Sequence, residues 1–181
     1  MTINSHGGNR VNRCQPGHGS SCSFCCGSHN YAMPPEKIGE LFEERERAGP
    51  SRPVLHPEIA HEEKLFPDEL QCPNVGMQSS EPGLVCCLAY GDREVADDIA
   101  SFMKSTCSKF LCPAWDELTD REVLFAARLM RDWYWYSLLI NDIELLQELC
   151  AEYDRPEDVP EDEMERMRSD LLDFFREEDG K

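Results

Sequence analysis

Cys22-Ser23-Phe24-Cys25-Cys26 puts three thiols within five residues. A C-x2-C step on a tight turn brings two sulfurs to one point, which is how thiolate-bound metals are held. More thiols follow at Cys72, Cys86, Cys87, Cys107 and Cys112. Together these are eight candidate ligands, enough for two four-thiolate sites. Sulfur coordination of that kind suits zinc or iron, the iron either mononuclear or in an iron–sulfur cluster. Neighbouring cysteines in an extended segment point to opposite faces, so each Cys-Cys pair divides between two sites or keeps one member for packing.

The chain has ten cysteines. Cys150 lies amid Leu145, Leu146 and Leu149 and reads as core rather than ligand. Cys14 precedes the cluster and its part is open. His18 and His29 bracket the first knuckle and are weaker candidates for a mixed Cys/His site. His56 and His61 are five residues apart, about 140° around a helix, a poor spacing for sharing an ion. His61-Glu62 lacks the second histidine of a metalloprotease helix. No Ser-His-Asp or Cys-His order stands out for nucleophilic catalysis, so an enzymatic role is left open.

The order Cys22-x2-Cys25-Cys26-Gly27, a Pro-Glu helix start, Cys72-Pro73, then Cys87-x2-Tyr90-x2-Arg93 resembles the YkgJ-type cysteine-cluster proteins, also described as zinc- or iron-chelating domains. The resemblance covers roughly residues 19–112 and implies a bound metal without a specified reaction. The pattern departs in three places. Its first cysteine falls at Gly19, Glu94 stands where a proline is expected, and Asp97 occupies the place of the last cysteine. The late ligands here are then Cys107 and Cys112.

Composition limits the other readings. A chain of 181 residues buries enough surface to fold without disulfide staples, and clustered thiols in such a chain point to a reducing cytoplasm. Met1 to Ser28 is polar and Gly-rich, unlike a secretory signal. The apolar stretch from Val123 to Leu149 is broken by charges, so no membrane span is expected. The net charge of −18, from 36 acidic and 18 basic residues, disfavours direct nucleic-acid binding. Residues 141–181 alone hold 16 acidic and 5 basic side chains. The thiols avoid this acidic tail, as groups that must ionise should.

The elements that would position these thiols are mostly helices. Residues 1–18 read as a flexible arm, 19–155 as the cysteine-cluster helical domain, and 156–181 as an acidic C-terminal helix packed on it. Pro35-Glu36 opens a helix that Gly49-Pro50 stops. A weaker helical pattern spans 53–67, and 68–91 reads as an irregular loop holding a short buried strand near 84–90. Asp92 is placed to cap a helix through Ser105. Thr119-Asp120-Arg121-Glu122 is a capping box opening an apolar helix with a break near Asn141. Trp133 to Tyr136 read as core. The expected fold is therefore mainly α, one helical domain around an irregular cysteine-lined metal-binding centre, with little or no sheet. Its expected function is soluble metal binding through thiolates. An iron–sulfur redox protein or enzyme component, a thiol–disulfide switch, and a protein partner docking on the acidic C-terminal helix are the alternatives.

Overall fold

Pro34 is extended (ψ 152°) and Pro35 occupies the first helical position, where a missing N–H breaks no bond. Glu36 adds a negative charge at the positive end of the helix dipole. The helix that follows, α1 (Pro35–Arg47), buries Ile38, Phe42 and Arg45. The computed structural model describes residues 10–49, 53–59, 62–78, 83–89, 95–110 and 112–177, with side chains to Asp173. Pro50 and Asp92, the expected stop and cap, lie outside that set.

Helix α1 packs on β1 (Val75–Met77), which pairs antiparallel with β2 (Val85–Cys87). The second strand falls inside the run expected to be extended. Its partner falls where only irregular chain is expected, because Val75-Gly76-Met77 is too short to show alternation. The helical pattern at 53–67 forms turns instead, with no helix among its described residues. Prolines at 53, 57 and 67 remove backbone donors. Asn74 also claims the backbone of Leu55, donating to its carbonyl (2.6 Å) and accepting from its N–H (3.0 Å).

After α2 (Asp97–Ser105), which starts later than expected, and a single turn at Cys107–Lys109 come α3 (Ala114–Glu117) and α4 (Asp120–Met130). Thr119 and Glu122 form the expected capping box. The apolar stretch breaks twice rather than once. Arg131 turns left-handed (φ 49°), and Asp132 caps α5 (Trp133–Asn141) by accepting from the N–H groups of Tyr134 and Trp135. Asp142 then caps α6 (Ile143–Glu152), at the break expected near Asn141.

Helices α4, α5 and α6 pack against one another, and α7 (Glu161–Glu177) lies on α5. Val123, Leu139, Leu146 and Met167 form the centre of this layer. Trp133, Tyr134 and Tyr136 are buried, as their core reading requires. Helix α7 turns Met164, Met167 and Leu171 inward, so it is packed rather than free. The described residues are mainly helical with one small sheet. Among the described residues no helix is long and apolar enough to cross a membrane.

Candidate functional site

The thiol-bearing segment 10–30 has almost no regular structure, yet it is firmly held. Of residues 1–18, expected to form a flexible arm, 1–9 lie outside the described residues and 10–18 are pinned from Arg10 onward. Arg13 is buried and donates to the carbonyls of Val11 and Leu118 and to the Asp120 carboxylate at 2.6 Å. The bond from Arg13 holds the Asp120 carboxyl below its ordinary value. Three serines fasten the next stretch: Ser20 Oγ donates to Ala127 O, Ser21 Oγ to Gly83 O and Ser23 Oγ to Val85 O. From the opposite side, Tyr136 Oη donates to Arg13 O (2.7 Å) and Ser137 Oγ to Ser21 O (3.2 Å). These bonds tie an irregular stretch of backbone to the helices and the sheet around it.

Within this frame, Phe24–Cys26 form one tight turn, closed by the Gly27 N–H donating to Phe24 O at 2.8 Å. Gly27 has φ 73°, and a Cβ there would lie 1.8 Å from Leu70 O. Only glycine lets the knuckle approach the chain leading into Cys72 so closely. Two backbone bonds then join distant thiol segments: Cys22 N–H to Cys14 O and Cys72 N–H to Cys26 O, both 2.9 Å. The sheet register sets Cys87 opposite Val75 and Cys86 opposite Gly76. Adjacent strand residues face opposite sides, so the two thiols separate as expected of a Cys-Cys pair in extended chain.

The electrostatics record which thiols are neighbours. Burial raises Cys14 well above its ordinary value, and Cys22, Cys25 and Cys112 raise it further. Burial pushes Cys22 up to about 12 against a lowering bond from the Phe24 backbone, and Cys25 and Cys112 add to the rise. Cys26 is raised first by its hydrogen bond to Cys25, then by burial and by Cys25, Cys72 and Cys87. The same bond lowers Cys25, which is exposed. Burial raises Cys72, with Cys107 adding to it and Arg45 opposing. Cys107 and Cys112 are raised by burial and also by Cys25. Cys86 is raised by burial alone and lies 3.7 Å from Gln78 Oε1.

Seven of the eight expected ligands are in electrostatic reach of at least one other: Cys22, Cys25, Cys26, Cys72, Cys87, Cys107 and Cys112. Cys86 faces elsewhere, and Cys14, left open by the sequence, joins the group. Gly19, where the YkgJ pattern has its first cysteine, takes φ 78°, a conformation in which a side chain is strained. His29 is buried with its ring nitrogens bonded to Ser28 Oγ (3.0 Å) and Tyr134 O (3.1 Å), so its imidazole serves the frame. Burial pushes its pKa down to about 4. His18 is exposed, its Nε2 3.5 Å from Arg128 Nε. His56 stacks edge-on against Phe102, and His61 lies outside the described residues. Cys150 is buried with Leu146 and Leu149, as core.

Sequence reasoning missed two basic groups. Arg45 is buried, donates to Tyr31 Oη (2.9 Å) and Val75 O (3.0 Å), and faces Cys72. Its position in the inward stripe of α1, three residues after Phe42, was a usable signal. Arg13 had no such periodicity to mark it.

Among the described residues no three His, Cys, Asp or Glu side chains stand gathered at the geometry of a bound metal ion. The donor set still fits a soft cation in kind. Half-buried or buried sulfurs come from three segments, and the buried Arg45 guanidinium faces Cys72. No protein-family model matches the chain, and no curated protein or solved structure matches it either.

Proposed function

We propose that this protein binds zinc or iron through clustered thiolates, the iron either alone or as an iron–sulfur cluster. The observation that carries the reading is that thiols of 14–26, 72–87 and 107–112 act on one another electrostatically, with the first segment joined to the second by the Cys72–Cys26 backbone bond. Packing alone gives no reason to bring so many sulfurs together, since free cysteine is usually retained for reactivity or metal binding. Their shared neighbourhood disfavours simultaneous ionisation, and a cation reverses that balance. When bound, the metal would supply a crosslink between segments that are far apart in sequence. Arg45 supports the same reading as a buried positive charge beside Cys72. The likeness to the YkgJ-type cysteine clusters points the same way. The compartment that suits such thiols is a reducing cytoplasm.

The test is elemental analysis of protein purified without oxygen from its native host. Zinc or iron in whole-number ratio to chain, lost on Cys22→Ser or Cys26→Ser, is expected. Folded, fully reduced protein with no stoichiometric metal would overturn the reading. A colourless zinc protein and a brown iron–sulfur protein are told apart by visible absorption.

One observation favours a second reading, a thiol–disulfide switch. Cys25 is exposed and accepts a hydrogen bond from the Cys26 thiol, the setting of a reactive sulfur with a partner at hand. Under that reading the metal-free protein is folded and loses two hydrogens reversibly per bridge on mild oxidation. The acidic outer face of α7 remains a proposed contact for a basic protein partner.

A further inference from the structure

We infer that Cys14 and Cys22 are a disulfide-forming pair, joined reversibly across the mouth of the 14–22 loop when the protein meets a small oxidised disulfide. The inference rests on the thiol–disulfide reading and names the pair in which the bridge lasts.

Backbone geometry brings the two residues within bridging distance. The Cys22 N–H donates to Cys14 O at 2.9 Å. With standard bond lengths, that contact holds the two Cα atoms no more than about 6.8 Å apart, and disulfides usually span about 4.4–6.8 Å. The chain between them is already folded back on itself. Ser20 N–H donates to Gly17 O at 3.1 Å, and the two residues form an antiparallel bridge. Between them His18 (φ 60°) and Gly19 (φ 78°) are both left-handed, as a two-residue hairpin turn requires. A bond between the cysteines therefore closes this loop without unfolding its turn.

Helix α5 clamps both ends of the loop. Tyr136 Oη donates to Arg13 O, and Ser137 Oγ donates to Ser21 O, each one residue before a cysteine of the pair. Cys22 Sγ itself lies 3.7 Å from Asn141 Nδ2. After burial, Cys22 is the strongest influence on the Cys14 thiol, and both act on the Tyr136 phenol. A disulfide carries no charge, so it suits a half-buried site that opposes two thiolates.

The neighbouring pairs are less suited. Cys25 and Cys26 are consecutive, with Cα atoms about 3.8 Å apart, below the usual disulfide span. Cys26 and Cys72 share a backbone bond of the same length, but the Cys26 thiol is bonded to Cys25 and Cys72 faces Arg45. Cys25 is exposed, whereas the Cys22 sulfur turns toward Asn141.

The exchange balances in two displacements. One thiolate of the pair attacks a sulfur of the external disulfide and expels half of it as a thiolate. The other thiolate attacks the mixed disulfide and expels the second half. The two cysteine protons end on the two departing thiols, so the chain loses two electrons and the reagent gains them.

The test equilibrates the reduced, metal-free full chain at pH 8 in glutathione buffers of rising oxidised-to-reduced ratio. Free thiols are alkylated with light iodoacetamide, the protein is reduced, and newly freed thiols take the heavy reagent. Tandem mass spectrometry then reads each cysteine. The first loss of two hydrogens should place heavy label on Cys14 and Cys22 together, and Cys22→Ser should lose that first bridge. A first bridge at any other pair, or its persistence in Cys22→Ser, overturns the pairing and leaves the thiol–disulfide reading standing. No loss of two hydrogens at any ratio overturns that reading and the pairing with it.

Discussion

The two halves of the molecule are held by different forces. From Ala114 onward the chain uses side-chain caps and apolar burial: Thr119, Asp132 and Asp142 start helices, and Val123, Leu139, Leu146 and Met167 pack between them. Between Arg10 and Ala89 a smaller apolar cluster (Ile38, Phe42, Val75, Val85) is joined by many polar side chains bonded to backbone. Asn30 donates to the carbonyls of Phe66, Glu69 and Leu70 and accepts from Phe66 N–H; Gln71 reaches Asn30 O at 2.6 Å. Such bonds fix shape but each contributes only about 1 kcal/mol net. A half built this way can hold sulfurs in irregular positions that regular structure would not supply, and a metal would stabilise it further.

The largest expected effect comes from removing the close approach that the thiol half depends on. Gly27→Ala would push a Cβ into Leu70 O and force a left-handed side chain, destabilising by about 3–5 kcal/mol. Thiol titration with an aromatic disulfide should show faster reaction in the native protein. Unchanged thiol rates would mean that the knuckle is not held by that contact. The helical half is broken differently. Leu139→Ala, at a fully buried site, should lower stability by about 3 kcal/mol in urea unfolding while native-state thiol rates stay unchanged. Faster thiol reaction in the native Leu139→Ala protein would erase the distinction drawn between the halves.

His29 joins the halves and gives the comparison a pH dependence. Its folded pKa near 4 lies below the ordinary 6.5, so the unfolded chain takes up a proton first as pH falls. The contribution is therefore full above about 6.5 and is lost through the window down to 4. Unfolding free energy should fall by about 2 kcal/mol between pH 7 and 5 from this group, and His29→Gln should flatten the profile. A slope unaltered by His29→Gln would refute the link. The smallest effect belongs to the helix start. Thr119→Ala should lose about 1 kcal/mol, measured by the urea midpoint, with thiol reactivity unchanged.

What could be read from the sequence follows the same division. The capping box, the break at Asn141 and the inward face of α7 were legible because each is a local signal carried by residues three or four apart. The break at Arg131 was not, since a left-handed arginine leaves no compositional mark. In the thiol half the positions of the sulfurs along the chain were legible, but which of them come near one another was not. Whether Cys14 or Cys86 faces the others depends on a backbone bond from Cys22 and on a strand register, both made with chain far away in sequence. The pattern at 53–67 misled because apolar spacing was weighed without the competing grip of Asn74 on Leu55.

The elbow at Arg131 sets the angle at which α5 presents its side chains to the sulfurs. Ser137 and Asn141 reach the chain around Cys22 only because the helix restarts at Trp133 with that particular rotation. One extra residue inserted after Arg131 would swing every later position by about 100° about the axis. The aromatic and polar groups now facing the knuckle would point aside, with no ligand altered. Length at this joint, as much as the identity of any cysteine, therefore governs whether the two halves mate.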